Sequence, residues 1–287
     1  MQTVFGGSAE VRIDASSMRE SECPGCLGTR FSTIPGREFL SICDDCGLVF
    51  DNPRPTPEVI AAYYNKETQY DTWIQNLEAR DRLWTRRIRK MSQHRKPGTL
   101  LDVGAGIGQF LNLARGEYEL VVGTEISSSA IEIAKRLYNL DILKGTIESL
   151  HFEQRFDNVT AFHVLEHVHQ PAAFLERCNQ LLSPAGRLFL AVPNDLGSLA
   201  SRVGRHALKP IELSDAEIHL SHFTKRTLAQ ILSRCGFNLI HISLDPFWVV
   251  VSSKEYLQNI RYIGMGVLNR FTKINLYPTI WAVAQRS

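Results

Sequence analysis

Residues 99–109 read TLLDVGAGIGQ, and residues 121–125 read VVGTE. Leu100, Leu101 and Val103 form an apolar run that predicts a buried parallel strand. Gly104 to Gly108 predict the turn that opens a helix through Phe110, Leu111, Leu113 and Ala114. Glycines let the chain turn tightly and carry backbone N–H groups against a ligand where any side chain would collide. Asp102 stands just before the turn and Ala105 lies inside it. Glu125, followed by Ile126, ends the next strand, where a carboxylate can accept both hydroxyls of a ribose. A nucleotide-like ligand is the first expectation. The dinucleotide-binding pattern would need its third glycine at position 109, which is Gln109.

From Pro97 onward predicted strands alternate with predicted helices, the pattern of a parallel sheet covered on both faces. Strands are expected at 100–103, 120–124, 142–145, 156–162, 186–194, 237–244 and 277–284, with helices at 128–138 and 225–236. Carboxyl ends of strands border the ligand crevice in an open α/β sheet, so His163, Glu166 and His167 of HVLEH should border the chemistry. Residues 195–218 are an insertion before His219 and His222 of HLSHFT. The segment 246–276 offers Tyr256, Leu257, Ile260, Ile263, Val267, Leu268 and Phe271 to one apolar helix face. It is a candidate acceptor lid, a candidate contact with a membrane surface, or a plain accessory helix.

Toward the N-terminus, four of the six cysteines are paired as Cys23-x-x-Cys26 and Cys43-x-x-Cys46, while Cys178 and Cys235 are isolated. Each pair can present two thiolates to one ion, and two pairs close a tetrahedral site with no open position, so a structural Zn²⁺ is expected. That spacing favours metal over disulfides in a reducing compartment. Pro53, Pro55 and Pro57 predict a stiff connector rather than a strand. Residues 57–96 predict helix. Their second half carries an apolar stripe of Leu83, Trp84, Ile88 and Met91, which predicts packing on the domain with the basic side outward. Tyr63, Tyr64 and Trp73 are candidates to cover the pocket or to fill the core. The expected organisation is a loose arm at 1–20, a zinc ribbon at 21–56, a helical connector at 57–96 and an α/β domain at 97–287.

Hydrophobic content of 44% and charged content of 22% describe an ordinary globular chain. No run of about 18 apolar residues occurs, and the start, MQTVFGGSAEVRIDASSMRE, has no apolar signal region. A cytoplasmic protein is expected. A net charge of +2 gives no overall footprint for nucleic acid, although the basic stretch at 80–96 could guide an anionic acceptor.

The glycine spacing with Asp102 and Glu125, the HVLEH segment and HLSHFT together resemble the class I S-adenosylmethionine (SAM) dependent methyltransferases. CGLVFDNPRPTPEVIAAYYN resembles the zinc-ribbon lead-in of bacterial members. The resemblance implies a Rossmann-like, doubly wound seven-stranded sheet and SAM as cofactor. It also implies that Thr146 meets the adenine amino group and Ile147 its face, with Thr146 departing from the frequent Asp. In two branches, the ubiquinone-pathway dihydroxyphenyl O-methyltransferases and the small-RNA terminal 2′-O-methyltransferases, a Glu-x-x-Glu-His motif holds a divalent ion. Here Glu166 and His167 match, the first Glu is His163, and His219 or His222 stands for a later ligand. Imidazole in place of carboxylate disfavours Mg²⁺.

Methyl transfer from a sulfonium needs an aligned acceptor and, for a hydroxyl, a proton acceptor. His167 is the leading candidate base, with His222 and His219 as rivals. O-methylation of a small molecule or sugar hydroxyl is the expected activity. RNA methylation and a non-catalytic zinc-ribbon binding protein on the same scaffold are the alternatives.

Overall fold

The structure, a computed structural model, describes residues 17–66, 70–196, 218–245, 264, 267 and 279–287. Its N-terminal part comprises β1 (Ser17–Met18), β2 (Phe31–Ile34), β3 (Arg37–Cys43), β4 (Val49–Asp51) and β5 (Arg54–Pro55). β3 pairs antiparallel with β2 and β4. β5 pairs with β1, and Glu20 forms a 2.9 Å ion pair with the buried Arg54. The end of the expected loose arm is therefore tied down, and its first sixteen residues lie outside the described ones. The proline-rich connector is a correction, because β4 and β5 are strands. β4 ends before Pro53, and Pro55 sits in a two-residue pairing that makes little demand on the missing N–H.

The predicted helical stretch holds α1 (Pro57–Tyr64), α2 (Asp71–Ile74) and α3 (Leu77–Met91). α1 opens with Pro57 in its first turn, where a missing N–H costs nothing. α3 buries Arg80 and Arg87 on the same face as Leu83, Trp84 and Met91, so its basic residues do not all point outward. Positions three and four apart share a helix face. The two guanidiniums accept burial by lying over aromatic rings: Arg80 is 3.8 Å from the Trp73 ring centre, and Arg87 is 5.2 Å from Trp84 and 5.0 Å from Phe162.

The remaining elements are β6 (Thr99–Val103), α4 (Gln109–Ala114), β7 (Leu120–Glu125), α5 (Ser128–Tyr138), β8 (Leu143–Lys144), β9 (Phe156–Phe162), α6 (Pro171–Leu181), β10 (Leu182–Pro193), β11 (Ser221–His222), α7 (Lys225–Arg234), β12 (Phe237–Asp245) and β13 (Thr279–Arg286). Seven strands form one sheet in the order β12-β13-β10-β9-β6-β7-β8, the Rossmann-like arrangement that the sequence implied. β6 to β10 are mutually parallel, but β13 is antiparallel to both neighbours, so the sheet is mixed. An inner strand buried on both faces, as at Thr279–Ala284, reads as the same apolar run in either direction. The order reverses beside β6, between β7 and β9, and this places a crevice at their carboxyl ends.

β11 is not a strand of the large sheet and pairs with β4, giving a second sheet in the order β11-β4-β3-β2. Cys23, Cys43, Leu48 and Phe50 share one buried cluster with Phe223, Leu228, Ile231 and Leu232. The cysteine unit and the α/β body thus have a common core, and residue 56 is not a packing boundary. Most of 195–218 and 246–276, including the expected lid, lies outside the described residues. Among the described residues no helix is long and apolar enough to cross a membrane.

Candidate functional site

A cavity of about 620 Å³ opens at the carboxyl ends of β6, β7 and β9, within the ~300–1,000 Å³ usual for small-molecule sites. Its walls include Asp102, Gly104, Ala105, Gly106, Glu125, Ile126, Thr146, Ile147 and His163, all expected from the sequence. Gly104 and Gly106 take φ of 68° and 54°, and a Cβ on Gly106 would lie 3.0 Å from the Trp73 ring. The turn is a cradle that a side chain would fill. Gly108 is not on the cavity wall. It starts α4 at φ 75°, and a Cβ there would come within 2.9 Å of Ala134 on α5, so it serves helix packing instead.

Glu125 is 7% exposed. Its Oε2 accepts the Gly106 N–H at 2.8 Å, and its Oε1 accepts those of Ile126 and Ser127 at 2.7 and 2.9 Å. Burial pushes its pKa up, and the three amides oppose that shift. The carboxylate therefore shapes the glycine turn, and Oε2, with one N–H donor, keeps acceptor capacity. Asp102 accepts the Thr160 hydroxyl at 2.6 Å, and burial pushes its carboxyl up to about 7.

Several wall residues escaped the sequence reading, and three polar ones are among them. Arg80 and Gln109 line the cavity, with Arg80 Nε donating to Gln109 Oε1 at 3.1 Å. Gln109 Nε2 in turn donates to the Leu77 carbonyl and to Asp81, both at 2.7 Å. The residue standing where a dinucleotide motif needs glycine thus ties α3 to the glycine turn. Thr72 is the third. The signal for Arg80 was its place on the apolar face of α3. Tyr64 and Trp73 line the cavity as one expectation had it, whereas Tyr63 is buried with Ile60, Ile218 and Leu220.

The polar end of the cavity is built after β9. His163, at φ 58°, has Nε2 3.3 Å from Arg87 Nη2 and Nδ1 3.2 Å from Glu166 Oε1. Arginine only donates, so Nε2 accepts and Nδ1 carries the hydrogen toward Glu166. Both nitrogens of His163 are engaged. His167 lines the cavity with its Nδ1 on the Ile218 carbonyl and its Nε2 3.7 Å from Glu166 Oε1. Glu166 is fully buried. Burial would raise its pKa, but His167, His163 and His219 outweigh this and hold it below the usual value. His219 holds Asp195 through Nδ1 at 3.2 Å, and its ring centre is 5.1 Å from that of His167. One ligand atom each from Glu166, His167 and His219 lies within 4.8 Å of the others, a donor set able to hold a divalent cation.

His222 is a correction to the list of candidate bases. It is 4% exposed, off the cavity wall, and held between Asp195 at 3.1 Å and Asp51 at 2.8 Å. Burial alone would lower its pKa, but the two carboxylates raise it to about 8.

The four cysteine sulfurs also lie within 4.8 Å of one another. Cys23 and Cys46 Sγ are 3.6 Å apart, and Cys26 and Cys43 Sγ 3.5 Å. A tetrahedral ion with S bonds of about 2.3 Å separates its sulfurs by about 3.8 Å, so the set suits one ion.

Comparison with known proteins identifies the fold and family. A methyltransferase-domain family model matches residues 77–242, more than half of the chain. The ubiquinone biosynthesis O-methyltransferase of Coxiella burnetii (strain RSA 493 / Nine Mile phase I) is 34% identical over 101 residues, 33% of this chain and 43% of that protein. The Saccharophagus degradans protein of the same name is 33% identical over 102 residues, with the same coverage. The chain thus spans less than half the length of these curated relatives. Among solved structures, magnesium protoporphyrin IX methyltransferase from Synechocystis PCC 6803, with bound SAH, superposes with a TM-score of 0.53 at 17% identity, covering 80% of this chain and 99% of that one. A SAM-dependent methyltransferase from Clostridium acetobutylicum gives 0.50 at 10% identity, covering 76% and 96%. These two likenesses are of fold. With the family match over β6 to β12 and the cavity at the switch point, the chain belongs to the class I SAM-dependent methyltransferases.

Proposed function

We propose that this methyltransferase methylates a hydroxyl of a small-molecule acceptor, sugars included, and that His167 takes the hydroxyl proton. The observation that carries the reading is the place of His167 on the cavity wall, its ring held in a fixed orientation by the Ile218 carbonyl on Nδ1. The O-methyltransferase names of the 34%-identical relatives support it. The cavity fits SAM on this chain's own features, namely the glycine cradle, the spare acceptor capacity of Glu125 and the cationic Arg80. When bound, that cofactor supplies a methyl group already activated by its sulfonium. Glu125 would accept the ribose hydroxyls, Arg80 would face the amino-acid carboxylate, Thr146 and Ile147 would meet the adenine, and Asp102 would face a cationic group. Burial of Arg80 and Arg87 takes two cations of the basic stretch off the surface and weakens the RNA reading.

A second reading is favoured by the clustering of Glu166, His167 and His219. Those three would hold a divalent cation that binds an acceptor's hydroxyl and eases its deprotonation. His163 is outside this set, and two imidazoles with one carboxylate suit transition metals better than Mg²⁺. At Cys23, Cys26, Cys43 and Cys46 we propose a structural Zn²⁺.

Methyl-labelled SAM is incubated with the protein and fractionated cell extract. Label is expected in a small-molecule or glycan fraction, whereas label in RNA, or none with SAM bound, overturns the reading. His167→Ala is expected to slow that transfer by about 10²–10⁴-fold and leave SAM affinity unchanged. Full activity after chelation that spares the cysteine-bound ion separates base from metal.

A pH dependence follows from Asp102. A carboxyl held up to about 7 is partly protonated near neutrality, and an adjacent cation favours its ionised form. SAM affinity should therefore rise with pH to about 7 and level off above, by at most about tenfold per pH unit. Calorimetry in buffers of different ionisation enthalpy would register proton release on binding. Affinity independent of pH would remove Asp102 from the cofactor site.

A further inference from the structure

The polar chain that starts at His167 continues out of the cavity. The Glu166 carbonyl accepts the N–H groups of Leu220 and Ser221 at 2.8 and 3.2 Å, lacing residues 218–222 to the backbone between the pocket residues. Along that segment the Ile218 carbonyl holds His167 Nδ1, and His219 and His222 both donate through Nδ1 to one oxygen of Asp195. The far nitrogen of His222 donates to Asp51 Oδ2 at 2.8 Å, and the Asp51 N–H donates to the Leu220 carbonyl at 3.0 Å. Asp51 lies on β4 of the cysteine unit, whose pairing with β11 sets Ser221 opposite Phe50 and His222 opposite Val49. β4 leaves directly from the second cysteine pair, where the Cys43 N–H donates to the Leu48 carbonyl at 3.0 Å.

We infer that Asp51 is a positioning residue for methyl transfer. From the cysteine unit it fixes His222, through Asp195 it fixes the ring of His219, and through the 218–222 segment it fixes the wall against which His167 is set. The inference rests on the reading of His167 as the proton acceptor. Asp51 touches no reacting atom. Asp51 and His222 are 3% and 4% exposed and Asp195 19%. Buried charge clusters of this kind add little net stability compared with packed hydrocarbon, and what they can supply is a defined orientation. His222, with each nitrogen on a different carboxylate, cannot rotate without breaking a bond to one side of the joint. The segment that both carboxylates clamp ends at the carbonyl that sets the His167 tautomer.

The test uses the full chain with ¹⁵N-labelled histidine, comparing the native protein with Asp51→Asn. Ring signals are assigned with His219→Gln and His167→Gln. Three quantities are read: metal content, SAM affinity by calorimetry, and the imidazole nitrogen spectra of His219 and His167. Asp51→Asn is expected to keep metal content and SAM affinity, to shift both ring signals, and to slow label transfer to extract by about 10²-fold, as misplacement of a reacting group does. Unshifted rings confine Asp51 to the cysteine unit and overturn the inference. Joint loss of metal, SAM affinity and ring order makes its role purely structural and also overturns it. If Asp51→Asn does not fold, Asp195→Asn is read the same way, and failure of both to bind SAM counts with the structural outcome. A full transfer rate in His167→Gln would defeat the base reading while leaving the ring shifts of Asp51→Asn to stand or fall separately.

Discussion

Cys43→Ser is expected to abolish binding of the zinc proposed at the four cysteines and to unfold far more than its own loop. Structural zinc in small four-ligand units contributes about 10–16 kcal/mol of apparent binding free energy near neutral pH, whereas a whole domain is stable by only about 5–15 kcal/mol. Losing even part of the first quantity is comparable with all of the second. The damage cannot stay local, because Cys23, Cys43, Leu48 and Phe50 are packed in one cluster with Leu228, Ile231 and Leu232 of α7. Gly25 shows how tight this contact is, since a Cβ there would lie 2.7 Å from Leu48 and 3.4 Å from Ile231. Emission spectrometry should find about one zinc per native chain and none in the variant, with the melting transition lowered or lost. A variant that stays folded without metal would contradict the zinc assignment.

Glu125→Ala is expected to weaken SAM binding by about 1.5–3 kcal/mol, the range for a hydrogen bond to a charged group. It should also destabilise the empty protein, because the N–H groups of Gly106, Ile126 and Ser127 lose their acceptor together. A buried donor left unmet costs about 1–3 kcal/mol, less where water enters the space. Glu125→Gln keeps one acceptor oxygen and should fall between. Calorimetric affinity and thermal melting, measured on all three proteins, separate the two effects. Unchanged affinity with lowered stability would make Glu125 a residue of the turn alone.

Local periodicity made much of the α/β body legible: β9 and α5 have the boundaries that the apolar pattern predicts, and the glycine turn lies on the cavity. Partners distant in sequence were not legible. Nothing near Arg87 announces the Phe162 and Trp281 rings that cover it, and a basic helix reads as a solvated one. Gly108 stands in the cofactor motif, yet its neighbours are Leu140 and Ala134. The histidines separated least well in the sequence, since HLSHFT offers His219 and His222 as rivals to the leading His167 of HVLEH. The strand end before HVLEH directs His167 to the crevice, whereas tertiary contacts alone send His222 to Asp51 and His163 to Arg87.

The pairing of β4 with β11 also bears on how the chain comes off the ribosome. Asp51 and His222 are 171 positions apart. At synthesis rates of about 5–20 residues per second, roughly 10–30 s separate their appearance. For that interval the nascent cysteine unit carries a strand edge without its native neighbour, and edges of that kind invite pairing with other chains. Slowed translation between the two segments should lengthen this exposure, so codon choice and chaperone supply are expected to affect soluble yield.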